Sequence, residues 1–100
     1  MIKGKTKSGI QFSLNEKIKE DARFLYYLTK IQQKDLEETE AANTVMGMLK
    51  LVFGTDENVL CFMDEVANKH DGVCDVKSMM GEMMEMLEAL DIKNSQSSPR

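Results

Sequence analysis

The most constraining feature of this sequence is a cluster of methionines near its C-terminal end. On an ideal helix, the apolar residues of the stretch 76–90 cover an arc of about 160°, whereas one packed face needs a stripe of about 100°. Methionine is flexible and repacks easily, which suits surfaces that accept different partners. The cluster therefore predicts either a core helix or an adaptable binding face. Five of the nine methionines of the chain belong to it, namely Met79, Met80, Met83, Met84 and Met86.

The position of each methionine within this arc separates the two interpretations. Met79 and Met83 lie near the centre, where a neighbouring helix covers the side chains most easily. Met84 and Met86 lie at opposite edges, which one neighbour is least able to cover together, and Met80 lies beside Met84. We therefore predict that the cluster contributes to partner binding, chiefly through its edges. The opposite side of the helix carries the acidic residues Glu82, Glu85 and Glu88.

The N-terminal residues alternate between apolar and polar side chains, a pattern typical of half-buried strands. Ile2, Ile10 and Phe12 supply the apolar positions, and Lys7-Ser8-Gly9 is a turn signal. The pattern predicts a hairpin over residues 2–13. Because two strands alone are marginally stable in water, we expect Ile10 and Phe12 to pack against the helices that follow.

Helical periodicity then recurs in four segments, about 14–33, 35–53, 56–69 and 76–90. The fold class predicted is mainly α, a compact four-helix domain over residues 1–92 with a short N-terminal β-hairpin. Residues 93–100 are rich in Ser, Asn and Gln, which bury too little apolar surface to become ordered. We expect them to form a flexible, disordered tail.

Residues with known helix-end preferences help to place the boundaries. Ser13 and Glu16 have the spacing of a capping box at the first helix, and Asn15 is a second possible cap. Gly47 in the middle of the second helix costs about 1 kcal/mol relative to Ala, so we expect a close helix crossing there. The second helix is predicted to be the central core helix. At the later helix ends, Gly54 is predicted to end the second helix, and Thr55 and Asp75 are predicted to cap the third and fourth helices.

The first predicted helix has a broad apolar side and two adjacent tyrosines. Tyr26 and Tyr27 lie near the boundary of this side, where a tyrosine hydroxyl can stay hydrated. The apolar side consists of Leu14, Ile18, Ala22, Phe24, Leu25, Leu28 and Ile31.

Charge is distributed unevenly along the chain. Residues 1–34 contain eight Lys and Arg against three Asp and Glu, a net charge of +5, whereas residues 35–92 contain three against fourteen, a net charge of −11. Such polarity can steer a charged partner or promote head-to-tail self-association, or it can simply reflect a solvated surface. One alternative function is a small helical regulator that binds nucleic acid through the basic N-terminal third, using Lys3, Lys5, Lys7, Lys17, Lys19 and Arg23.

Motifs of catalysis and metal binding are missing from the sequence. His70 is the sole histidine and has no second ligand at helical spacing, so a surface position at a helix end is expected. The glycines form no phosphate-binding pattern, and an EF-hand register around Gly72 lacks the calcium ligands. Cys61 and Cys74 have no ligand spacing and are expected to be reduced. We predict a protein that is not an enzyme and uses no metal or cofactor.

The sequence shows neither a membrane span nor a secretory signal, and this predicts the cellular location. No segment has the length of a membrane span, and the first residues lack the apolar stretch of a secretory signal. We expect a cytoplasmic protein that makes no contact with membranes.

Three stretches together carry a family resemblance. They are the short basic N-terminal hairpin, the run 15–28 with its segment Asp21-Ala22-Arg23-Phe24-Leu25-Tyr26-Tyr27-Leu28, and the ending Glu88-Ala89-Leu90 followed by Lys93-Asn94-Ser95-Gln96-Ser97-Ser98-Pro99. In these features and in size, the chain resembles tail assembly chaperones of long-tailed bacteriophages and prophages.

The resemblance implies a small, mainly helical protein of the bacterial host cytoplasm. Such a protein coats the tape measure protein during tail assembly and is absent from the mature virion. The family also makes a longer, frameshifted form that recruits tail tube protein through its extension, and this chain would be the short form. A broad methionine surface suits this role, since a tape measure protein presents many different amphipathic helices.

Overall fold

The computed structural model describes residues 1–90, which form an N-terminal hairpin, a 3-10 helix and four α-helices. The predicted fold class, mainly helical with a short hairpin, is confirmed. The predicted tail, residues 93–100, lies outside the described residues. The elements are β1 (Ile2–Lys5), β2 (Gln11–Leu14), the 3-10 helix Glu16–Glu20, α1 (Ala22–Ile31), α2 (Glu38–Phe53), α3 (Asp56–Lys69) and α4 (Val76–Glu88).

The hairpin has an apolar inner face and a basic outer face. Its strands are antiparallel, with Ile2 opposite Leu14 and Gly4 opposite Phe12. Gly4 leaves room for the Phe12 ring, because a Cβ at position 4 would lie 2.7 Å from the ring's Cζ. Gly9 has a φ of 99°, which confirms its role in the turn. The outer face consists of the exposed residues Lys3, Lys5, Gln11 and Ser13.

The prediction of one continuous helix over residues 14–33 is wrong. The 3-10 helix and α1 are separated at Asp21, whose backbone is extended with φ −80° and ψ 126°. The Asp21 side chain accepts a hydrogen bond from the backbone two residues later and thereby caps α1. Asn15 caps the 3-10 helix in the same way. Ser13 lies in β2, so the capping box predicted for it with Glu16 is also wrong.

The later helix ends follow the sequence signals closely. Gly54 ends α2 with a φ of 87°, a conformation that glycine adopts readily. The Thr55 side chain caps α3 by accepting from the Asn58 N–H, and Asp75 caps α4 by accepting from the Ser78 N–H. The three predicted helix-end residues are therefore confirmed. Helix α2 begins at Glu38, three residues later than predicted.

Helix α2 is the centre of the core, as predicted, because it contacts α1, α3 and α4. Its crossing with α1 is close at Gly47, where a Cβ would lie 2.6 Å from Cζ of Tyr27. The Tyr27 ring thus occupies the space that Gly47 leaves, which confirms the predicted close approach. The fully buried apolar residues of the core come from the hairpin and every α-helix, and they include Ile10, Leu14, Phe24, Val45, Met48, Leu49, Val66, Met83, Met86, Leu87 and Leu90.

Candidate functional site

The five methionines predicted to bind a partner divide into two groups in the structure. Met79, Met83 and Met86 are buried, whereas Met80 and Met84 are half-buried and pack at the border of the core. The expectation that Met86 lies at an uncovered edge is corrected, since its exposed fraction is 0%. Only Met80 and Met84 of the five therefore remain accessible to a partner in this structure.

The buried face of α4 is rotated relative to the predicted one. Viewed down the helix axis, with 100° of rotation per residue, the buried residues form an arc that has Glu82 at one edge and Leu87 at the other. The centre of this buried arc lies about 50° from the centre of the predicted apolar arc. Glu82 was predicted on the solvent side, but its exposed fraction is 3%. The hairpin turn covers this side of α4, since the Ser8 hydroxyl donates to Glu82 and the Lys7 N–H donates to Glu85. Met86 lies one helical turn after Glu82 on this side of α4 and is also buried.

Glu82 is the centre of a polar cluster that joins three elements. Its Oε2 accepts a hydrogen bond from Ser8 Oγ at 2.7 Å and lies 2.8 Å from Nε2 of His70. His70 is the C-cap residue of α3, so the cluster links the hairpin turn, α3 and α4. The predicted role of His70 as a simple surface residue is thus incomplete. Oε1 of Glu82 is buried and has no hydrogen-bond partner among residues 1–90.

The pKa of Glu82 reflects two opposing effects. Burial raises the pKa, because removing a carboxylate from water disfavours its charged form. Hydrogen bonds from His70 and Ser8, the nearby Thr6 hydroxyl and the charge of His70 lower it, and together they outweigh burial. The net pKa lies below the ordinary value of 4.5, so Glu82 is ionised at neutral pH.

Acid is expected to remove the contribution of Glu82 to stability. Because its folded-state pKa is below 4.5, the folded protein binds the proton less readily than the unfolded chain. The stabilisation is therefore present above pH 4.5 and is lost as the pH falls through the folded-state pKa. In urea unfolding, wild type should be more stable than Glu82→Gln at neutral pH, and the difference should shrink in acid. A difference that stays constant across this range would contradict the assignment.

Met80 lines an apolar pocket of about 320 Å³ at the start of α4. The pocket lies between the end of α1, the connection to α2 and the first turn of α4. Its polar lining residues are Lys77, Glu38 and Gln33. An apolar group bound in the pocket would therefore lie near one positive and one negative side chain. The apolar lining consists of Ile31, Leu36, Ala41, Val76 and Met80.

The sequence prediction included Met80 but missed the rest of this pocket. Leu36 lies in the irregular connection between α1 and α2, where periodicity carries no signal. Ile31 and Ala41 belong to faces that were assigned to the core, and their contribution to a pocket depends on how the helices meet. Met84 is not among the residues that line the pocket.

Helix α1 exposes a second apolar surface. Leu25 was predicted to face the core, but 49% of its surface is exposed, and Tyr26 is 60% exposed. The two tyrosines meet edge to face, with ring centroids 5.5 Å apart. Lys30 Nζ lies 6.0 Å from the Tyr26 ring centroid, at the outer limit of a cation–π contact.

The basic residues predicted to bind nucleic acid are all exposed, but they differ in whether they form ion pairs. Lys3 and Lys5 lie on the outer face of the hairpin, and neither forms an ion pair with another residue of 1–90. Arg23 instead pairs with Asp21 at 2.7 Å, and its hydrogen bonds lower the pKa of Asp21 to about 2. The exposed members are Lys3, Lys5, Lys7, Lys17, Lys19 and Arg23.

The described residues offer little for cofactor chemistry. Within residues 1–90, no group of three or more His, Cys, Asp and Glu side chains is placed to hold a metal ion. Cys61 and Cys74 are free cysteines, and burial raises the pKa of the Cys74 thiol, which favours its unreactive neutral form. None of the helices of this part of the chain is long and apolar enough to cross a membrane.

Similarity to known proteins was sought for the whole chain. Comparisons with protein-family models, with curated proteins and with solved structures find no match.

Proposed function

We propose that this protein is a tail assembly chaperone of the kind found in long-tailed phages and prophages, and that it binds helical segments of a tape measure protein. The observation that carries the proposal is the apolar pocket around Met80, which is open to a side chain from a partner. Its size suits one or two aliphatic side chains of an amphipathic helix. The family resemblance of the hairpin, of the run 15–28 and of the C-terminal residues supports the choice of partner.

Two methionines give this surface its adaptability. Met80 lines the pocket, and Met84 lies one helical turn further along α4 and is also half-buried. A flexible thioether can adjust to different aliphatic side chains, which suits successive, non-identical segments of a long filamentous partner. The binding surface therefore contains two of the five predicted residues, with Met79, Met83 and Met86 supporting it from the core.

The further elements of this proposal follow from the family resemblance. The protein acts in the cytoplasm of a bacterial host, is absent from the mature virion and catalyses no reaction. A longer, frameshifted form carries the contacts to tail tube protein. The opposite charges of residues 1–34 and 35–92 favour self-association of copies along the tape measure protein.

Replacing Met80 with lysine is expected to weaken tape measure binding at least about thirtyfold, as for a residue at the centre of an interface. The lysine would place a charge in a pocket lined mostly by aliphatic side chains. Isothermal titration of the tape measure protein from the same genome into each variant measures the change. Leu60→Lys is the matched control, because Leu60 is 58% exposed on α3 and does not line the pocket. Equal affinities for Met80→Lys and wild type would refute the assignment of the surface.

A nucleic-acid-binding regulator is the second candidate, favoured by the exposed Lys3 and Lys5 on one face of the hairpin, which form no ion pair with another residue of 1–90. Binding through these lysines should weaken steeply with salt, since each phosphate contact releases counterions. Fluorescence anisotropy with labelled DNA and RNA, for wild type and a Lys3→Glu/Lys5→Glu variant, tests this function. Absence of salt-dependent binding by wild type would eliminate it.

A further inference from the structure

The hairpin turn is attached to the helices by a small number of polar contacts. Ser8 Oγ donates to Glu82, and the Lys7 N–H donates to Glu85 Oε1 at 2.8 Å. Among residues 1–90, these are the side-chain hydrogen bonds that join the two ends of the sequence. Ile10 and Leu14 anchor the neighbouring strand in the core, but the turn itself, residues 7–9, is held mainly by α4, whose Glu82 is in turn bonded to His70.

The Glu82 carboxylate depends on His70 for its charge balance. One of its oxygens, Oε1, is buried and has no hydrogen-bond partner in the described part of the chain, and the other is shared by Ser8 and His70. Ser8 is neutral, so the imidazole is the hydrogen-bonded donor that can carry a positive charge. The His70 side chain is 31% exposed, which lets it exchange protons with solvent.

Several other charged groups lie around this pair. Lys69 of α3 faces the turn, since its Nζ would lie 3.5 Å from a Cβ at Gly9. Glu85 of α4 binds the Lys7 backbone, and the Lys7 side chain is exposed. Asp75, whose pKa is lowered mainly by hydrogen bonds from Ser78 and to a smaller extent by the charge of His70, caps the start of α4. His70 is the member of the cluster whose hydrogen bond to Glu82 changes from neutral to charge-assisted when the ring is protonated.

We propose that His70 and Glu82 form a pH-sensitive clamp, in which protonation of His70 tightens the attachment of the hairpin turn to α3 and α4. When the ring is protonated, a charge-assisted hydrogen bond compensates the buried carboxylate. When the ring is neutral, the hydrogen bond is weaker and the carboxylate lacks a counter-charge, so the turn opens more often. The opening is local, because Ile10 and Leu14 stay packed in the core.

Amide hydrogen exchange of the full chain, followed by NMR and corrected for the intrinsic rate, tests this clamp. The readout is the Gly9 amide, which donates to the Thr6 carbonyl within the turn at 2.9 Å. Its protection should fall about fivefold between about pH 5.5 and about pH 8, as expected when a charge-assisted hydrogen bond becomes neutral. Amides in the middle of α2 serve as the internal reference and should not change. Constant protection at Gly9 would overturn the proposal.

Three variants separate the clamp from a merely structural role of these side chains. His70→Gln keeps a donor without charge, so protection of Gly9 should be low at both pH values. His70→Lys carries a permanent charge, so protection should be high at both. Glu85→Gln is the matched control, since Glu85 also holds the turn but does not contact His70, and it should keep the pH dependence of wild type. A pH dependence that survives in His70→Gln would overturn the clamp.

Discussion

Replacing Met86 with glutamate is expected to lower the free energy of unfolding by at least about 4 kcal/mol, because the substitution places an uncompensated charge in the core. Met86 is fully buried, and it lies one helical turn after Glu82, which is itself buried and ionised. The new carboxylate would thus face both desolvation and repulsion. Since a domain of this size is stable by only about 5–15 kcal/mol, this loss would remove at least about a quarter of its stability. Circular dichroism during urea titration measures the loss.

Met84→Glu is the matched control for this prediction. The substitution is chemically the same and lies two residues away on the same helix, but Met84 is half-buried and its new carboxylate can reach water. We expect a loss of about 1 kcal/mol, corresponding to the apolar surface that leaves the core. Similar losses for the two variants would contradict the deeper burial of Met86 that the structure describes.

The contrast between these two residues shows the limit of helical periodicity. The sequence placed both methionines at edges of an apolar arc, and nothing in α4 itself distinguishes the two edges. The hairpin turn, about 75 residues away along the chain, binds Glu82 on the side of α4 that carries Met86, and Met84 lies on the other side. Burial of Glu82 beside Met86 was unpredictable for the same reason, because its hydrogen-bond donors, Ser8 and His70, come from other elements.

Local signals, in contrast, predict the structure correctly where a single side chain determines the backbone conformation. Thr55 and Asp75 cap their helices and Gly54 ends α2, because each effect acts within one helical turn. The break at Asp21 is the exception, since the apolar spacing on both sides fits one continuous helix. At this position a capping aspartate ends one helix and begins the next despite the continuous apolar spacing. An aspartate in the middle of an apolar pattern does not by itself predict such a break.

Gly47→Ala is expected to destabilise the protein by about 1–2 kcal/mol, although alanine is the better helix former by about 1 kcal/mol. The added Cβ would lie 2.6 Å from Cζ and 2.7 Å from the hydroxyl oxygen of Tyr27, a distance at which the ring must move. Moving the ring disturbs the crossing of α1 and α2, which is the most extensive helix contact of the core. Urea unfolding of wild type and variant gives the difference directly.

The sign of this effect should reverse when the collision is removed. In a Tyr27→Ala background, Gly47→Ala should stabilise the protein by up to about 1 kcal/mol, which gives the double-mutant cycle an interaction energy of about 2 kcal/mol. Gly81 supplies an internal comparison, because it is also helical but a Cβ there meets nothing within 4 Å. Gly81→Ala should therefore stabilise wild type itself. If Gly47→Ala and Gly81→Ala had the same effect, backbone propensity would decide both positions and the Tyr27 contact would contribute nothing to the choice of glycine.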